Sequence, residues 1–146
     1  MDKLFERFLT QILRERAGLH TTVQDQVSTH LGHEQKVLMR PDIIVSEEGT
    51  MVLVADCKYK RLEPSEFKNH DVYQMLAYCT ATRVRRGLLI YPLHSAAVQD
   101  LVIIRNTDTL IRQATIDLGK GSINELEQEC DNFVHTVVEW VHAQPA

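Results

Sequence analysis

Pro41-Asp42-Ile43-Ile44-Val45-Ser46-Glu47-Glu48-Gly49-Thr50-Met51-Val52-Leu53-Val54-Ala55-Asp56-Cys57-Lys58 is the stretch on which the fold turns. The apolar and β-branched run Val37 to Val45, broken by Pro41, predicts one strand, and Met51 to Ala55 predicts another. Ser46 to Thr50 between them is turn chemistry, so the two strands form a hairpin. Met-Val-Leu-Val-Ala is almost wholly apolar, the mark of a central strand buried on both faces. Asp42 stands 14 positions before Asp56. Hairpin register therefore can bring the two carboxylates near each other at one end of the sheet. Lys58, two residues after Asp56, leaves a strand on the same face as that carboxylate.

Upstream, Leu4, Phe5, Phe8, Leu9, Ile12 and Leu13 recur at helical spacing, and Gly18 ends the pattern. Thr21 to His30 mixes β-branched with polar residues and reads as a further strand, and Gly32 to Gln35 as a connection. Downstream, Pro64-Ser65 marks a helix start. Phe67, Val72, Met75, Leu76 and Cys79 carry that helix to about Thr82. Gly87 to Tyr91, ended by Pro92, is a short buried strand, and strands follow at Leu101 to Arg105 and about Leu110 to Leu118. Ser122 caps a last helix bearing Ile123, Leu126, Cys130, Phe133, Val134, Val137, Val138 and Val141. This order is that of an α/β fold, a mixed central sheet flanked by helices.

The chain of 146 residues is 44% hydrophobic and 25% charged, a composition that supports one globular core over residues 1–146. No apolar run approaches the roughly 20 residues of a membrane span. Met1 to Arg16 mixes acids and bases, unlike a signal peptide, so a cytoplasmic protein with no membrane partner is expected. Cys57, Cys79 and Cys130 are odd in number and far apart, and read as buried free thiols. The net charge of −4 disfavours nucleic acid until it is divided. Met1 to Arg86 carries +1, and Gly87 to Ala146 carries −5. An anionic substrate belongs on the first half.

Asp56 closes an apolar run, where a lone carboxylate costs several kcal/mol to desolvate unless it is paired or bound to a cation. Carboxylates, a backbone carbonyl and waters are the donors that Mg²⁺ takes. An ammonium at Lys58 could orient an attacking water and stabilise charge growing on a phosphate. Asp56 with Lys58 also fits a strand-end ion pair, and Asp42 after Pro41 a turn residue. Asp71, Gln74 and Tyr78, spaced i, i+3, i+7, share one helix face. Gln74 reads as an exposed residue or as a holder of a phosphate, a lysine or a metal-bound water. Tyr78 reads as a core ring with a wet hydroxyl, or as part of the same polar stripe. Glu6 lies about 120° from the centre of the first helix's apolar stripe, as a surface acid or as one reaching toward a metal.

The seven histidines are scattered and are read as non-ligands, with His70 beside Asp71 the nearest to a helper. Arg83, Arg85 and Arg86 fit a phosphate-contacting patch or an exposed basic helix end equally. Trp140 reads as core or dimer surface. Glu125, Glu127, Glu129 and Asp131 read as a solvated face that repels DNA.

Pro41-Asp42, Asp56-Cys57-Lys58-Tyr59 and Asp71-Val72-Tyr73-Gln74-Met75-Leu76-Ala77-Tyr78 resemble the PD-(D/E)-x-K nuclease superfamily, with the Gln-x-x-x-Tyr helix signature of its RecB-like branch. Together with Leu4-Phe5-Glu6, they are most similar to the nuclease domains of the McrC family, over about Leu4 to Tyr91. The resemblance implies a restriction-endonuclease-like PD-(D/E)xK core. It also implies Mg²⁺, with Mn²⁺ as a substitute, held by Asp42, Asp56 and the Cys57 backbone carbonyl. Lys58 would position or activate the water, Glu6 would assist from behind, and Gln74, Tyr78, Tyr59 and Lys60 would support the site and the DNA backbone. DNA cleavage in a modified-cytosine restriction system and an McrB-type AAA+ GTPase partner follow from the same resemblance, and a homodimer is a further expectation. McrC proteins carry an additional N-terminal region that contacts the motor, and this sequence begins almost at the nuclease helix, so a fragment or a stand-alone relative is expected. The rival readings are a RecB-like exonuclease, and a non-catalytic DNA-binding or assembly module that retains the fold.

Overall fold

The computed structural model describes residues 2–62, 67–94, 96–97 and 100–143. Helix α1 (Asp2–Arg16) leads into β1 (Thr21–Asp25), a short pair β2 (Thr29–His30) and β3 (Leu38–Met39), and the hairpin β4 (Ile43–Glu47) and β5 (Thr50–Cys57). Helix α2 (Asn69–Thr82), β6 (Arg86–Pro92), β7 (Leu101–Ile103), β8 (Leu110–Ile116) and α3 (Ile123–His142) complete the order. Six strands form one mixed sheet in the order β1-β4-β5-β6-β8-β7, with β5, β6 and β8 parallel to one another. The two short strands β2 and β3 pair separately. Among the described residues no helix is long and apolar enough to cross a membrane.

The hairpin turn is tighter than the sequence suggests. Glu47 pairs with Thr50, which leaves a two-residue loop in which Glu48 has φ 49° and Gly49 φ 81°. Positive φ at both positions matches the right-handed twist of the flanking strands. Ile43 opposite Ala55 then fixes Asp42 beside Asp56.

Period-two alternation along the central strands divides the core. Leu53, Ala55, Leu88 and Ile90 face α1 and α3, joined by Phe5, Leu9, Leu13, Val134 and Val137. Val54, Leu89, Tyr91 and Ile111 face α2 through Met75 and Cys79. By the same alternation Asp56 falls on the α2 face. The expectation that Met51 to Ala55 is buried throughout needs correction: Met51 is exposed and Val52 half-buried, because pairing with β6 begins only at Val54.

The predicted strand Thr21 to His30 splits into β1 and β2, since Gln26 adopts φ 53° and turns the chain out of the sheet. Helix α2 starts at Asn69, two residues after Phe67, and Pro64-Ser65 lies outside the described residues. Ser122 caps α3 as expected, its hydroxyl accepting from the Glu125 N–H at 3.2 Å. Trp140 is core, covered on its ring by the guanidinium groups of Arg86 and Arg112 at 5.3 and 5.1 Å.

Gly87 sets how closely α2 approaches the sheet. A Cβ there would lie 2.6 Å from Met75 Cγ, 2.7 Å from Met75 Sδ and 3.0 Å from Cys79 Sγ. Gly87→Ala is therefore expected to destabilise the fold by about 1–3 kcal/mol, read from the urea unfolding midpoint. Met75 adjoins Gln74 in the sequence, so the same change displaces the polar face of α2.

Candidate active site

The site lies at the ends of β4 and β5, where two strands of the sheet and one turn of α2 meet. The Cys57 N–H donates to Asp42 Oδ2 at 2.8 Å, and the Asp42 N–H donates to Asp56 Oδ1 at 3.3 Å. Each carboxylate is thus fixed by the backbone of the other's strand end. Asp56 is 4% exposed. Burial, and then the charge of Asp56, push the Asp42 carboxyl up to about 7. Two ionised carboxylates in this position repel each other and call for a cation.

Lys58 answers part of that call. Its Nζ lies 2.6 Å from Asp56 Oδ2 and donates to Gln74 Oε1 at 2.5 Å. Gln74 is therefore the holder of a lysine, one of the roles open to it from sequence. Tyr78 is buried one turn further along α2, its hydroxyl pushed upward by burial and by the charges of Asp56 and Asp42.

Glu6 reaches the site indirectly. The Gln26 carboxamide donates to Glu6 Oε1 and, at 3.2 Å, to Asp42 Oδ1. Burial raises the Glu6 carboxyl, with the charge of Asp42 adding to it. Gln26 is the residue that sequence reasoning missed. Its signal is legible only once β1 is paired with β4: Asp25 opposes Ile43, so the next residue falls beside Asp42, and the Gln26 N–H donates to the Asp42 carbonyl at 3.0 Å.

Other expected residues lie apart from the carboxylate pair. Tyr59 turns to the α1 side and packs edge-on against Phe5, ring centroids 5.6 Å apart. Lys60 Nζ donates to Asp71 Oδ1 at 2.8 Å. His70 is exposed in the first turn of α2. Arg83 closes α2 in the left-handed conformation, and Arg85 and Arg86 stand at the start of β6. With Val54 opposite Gly87, Arg86 stands level with Leu53, three residues short of Asp56, and its guanidinium lies over Trp140 on the α3 face, opposite the face of Asp56. The arginine patch therefore does not line this site. The acidic row of α3 is not simply solvated: Glu127 and Asp131 both receive the Arg16 guanidinium.

Among the described residues no three His, Cys, Asp or Glu side chains gather as a metal-holding set. The donor set here is a carboxylate pair with a backbone carbonyl next to it. That suits Mg²⁺, which keeps several waters and takes one or two carboxylates from the protein. Burial first, and then the charge of Asp56, raise the Asp42 carboxyl, so ionising both acids at once is unfavourable without a positive charge beside them.

A stability prediction follows. The Asp42 carboxyl lies at about 7 in the folded chain against 3.8 unfolded. Its contribution is therefore complete below the unfolded value and is lost as pH rises through the folded one. In EDTA the melting temperature of the wild type, taken relative to Asp42→Asn, is expected to fall between about pH 4 and pH 7, the interval between the unfolded and folded values. A relative melting temperature that rises across that range would contradict the assignment.

The family described as McrBC 5-methylcytosine restriction system component matches residues 1–92, which include α1, the hairpin, α2 and β6. No curated protein matches the sequence. A chain in the refined half-complex from the tetradecameric assembly of Thermococcus gammatolerans McrB AAA+ hexamers with bound McrC is similar in fold, with a TM-score of 0.74 at 17% identity. The match covers 94% of this chain and 33% of that one, so the present chain spans about a third of the length of its structural relative.

Proposed function

The chain belongs to the McrBC 5-methylcytosine restriction system component family, and on that premise we propose that it is a Mg²⁺-dependent DNA endonuclease domain that hydrolyses phosphodiester bonds. The observation that carries this reading is the facing pair Asp42 and Asp56 with Lys58 tied to the second of them. Asp42, Asp56 and the Cys57 carbonyl would hold Mg²⁺, or Mn²⁺ in its place. The bound ion supplies Lewis-acid polarisation of the phosphoryl oxygens and neutralises the carboxylates.

The remaining work belongs to the chain itself. Lys58, steadied by Gln74, orients the attacking water and places an ammonium where negative charge grows on the phosphorus oxygens. Gln26 ties Glu6 to Asp42 and so fixes the angle of the first carboxylate. Tyr78 closes the α2 side of the site. Tyr59 and Lys60, at the margin, meet the DNA backbone. The first-half charge of +1 leaves this region without net repulsion of a polyanion.

On this reading the activity serves restriction of DNA that carries modified cytosine, in the cytoplasm. Base selection and translocation fall to an McrB-type AAA+ GTPase, and the cutting domain acts as a homodimer. The test is covalently closed plasmid, methylated and unmethylated, incubated with Mg²⁺ or Mn²⁺. An endonuclease converts closed circles to nicked or linear forms and is silenced by EDTA. Degradation of linear DNA alone would favour the RecB-like exonuclease. Failure to bind either cation would favour a non-catalytic module.

A further inference from the structure

Behind the carboxylate pair lies a third acid that the reading above does not use. Asp71, in the first turn of α2, is 1% exposed. Its Oδ1 accepts from Lys60 Nζ at 2.8 Å and lies 4.0 Å from Lys58 Nζ. Its Oδ2 accepts from the Tyr91 hydroxyl at 2.8 Å, and the Tyr91 side chain is itself fully buried. One buried carboxylate is therefore held in orientation by a tyrosine on β6 and shared, through a single oxygen, between two lysines.

The position of Lys58 gives this arrangement its meaning. Its ammonium has three hydrogens and faces three acceptors: Asp56 Oδ2 at 2.6 Å, Gln74 Oε1 at 2.5 Å and, more distantly, Asp71 Oδ1. Asp56 draws the ammonium onto the carboxylate pair, where it would compete with a cation for the same oxygens. Asp71 draws it the other way, and Lys60 on the same oxygen limits how strongly. The lysine stem is flexible, so its resting place follows the balance of these charges.

We propose that Asp71 is a positioning residue that offers Lys58 a second anchor, dividing its charge between Lys58 and Lys60 so that the ammonium, seated on Asp56 in the metal-free chain, can yield that carboxylate to a divalent cation. The proposal rests on the metal-site reading of Asp42 and Asp56. It predicts a change in cation affinity that does not depend on catalysis.

The test is a double-mutant cycle on Mn²⁺ affinity, measured by titration calorimetry on the full chain at fixed pH. Asp71→Asn keeps the shape of the side chain and its bond to Tyr91, and is expected to weaken Mn²⁺ binding roughly tenfold. In a Lys58→Met background the same substitution is expected to change affinity less than about twofold, because the residue through which Asp71 acts is gone. An equal loss in both backgrounds would show a direct effect of charge and overturn the proposal, as would wild-type affinity in Asp71→Asn. Wild-type protein that binds no Mn²⁺ would overturn the site reading and the proposal together. If Asp71→Asn does not fold, Asp71→Asn with Lys60→Gln removes one charge of each sign and carries the same comparison. Weakened binding in that charge-balanced variant supports repositioning of Lys58, and unchanged binding overturns it.

Discussion

Asp56→Ala is expected to lower Mg²⁺-dependent cleavage of closed circular DNA by roughly 10³-fold or more, while leaving the fold intact. The size follows from the several kcal/mol of charge stabilisation that a held cation supplies, at about 1.4 kcal/mol per tenfold in rate. The preserved fold follows from electrostatics. Asp56 is a buried acid facing a second acid, and the charge of Asp56 is one of the causes that raise the Asp42 carboxyl. Removing it relieves that repulsion, although Lys58 loses its partner at 2.6 Å. Plasmid cleavage by the variant, followed beside its thermal unfolding, separates the two effects. Cleavage at the wild-type rate would remove Asp56 from the chemistry.

Lys58→Met is expected to produce a different pairing of effects. Cleavage falls by roughly 10²–10³-fold, the scale for loss of a preorganised charge at the reacting centre. The metal-free protein also loses about 3 kcal/mol, because the side chain of Lys58 is 17% exposed and that of Asp56 6%, and breaking a buried pair strands the remaining charge. The two losses respond differently to Mg²⁺. A bound cation replaces the missing positive charge and restores stability by mass action, while the cleavage rate stays low. Melting curves with and without Mg²⁺, set beside the rates, check this. Recovery of both together would mean that Lys58 serves the fold alone.

Much of the architecture is legible because its signals are local. The hairpin follows from two apolar runs around a Glu-Gly turn, and α3 follows from Ser122 and a regular apolar stripe. The pairing of Asp42 with Asp56 follows from hairpin register. Alternation along β5 and just beyond it accounts for Tyr59 leaving on the side opposite Lys58. What is not legible depends on contacts distant in sequence. Gln26 becomes a site residue only when β1 lies against β4. Asp71 is visible as part of a polar helix stripe, but its bond to Tyr91 requires α2 to sit on β6. Arg16 joins Asp131 at 2.7 Å across almost the whole chain, so the ion pairing of these exposed acids is not visible in the sequence. The arginines after α2 look close to the site because the helix is close, yet Arg86 turns to Trp140 on the opposite face of the sheet.

The central claim is that Asp42 and Asp56 form a divalent-cation centre, and cation binding tests it without any assumption about DNA or a partner. Titration of the wild-type chain with Mn²⁺ is expected to show saturable binding that is lost when both Asp42 and Asp56 are replaced by alanine. No binding by the wild type, or undiminished binding by the double variant, would contradict it.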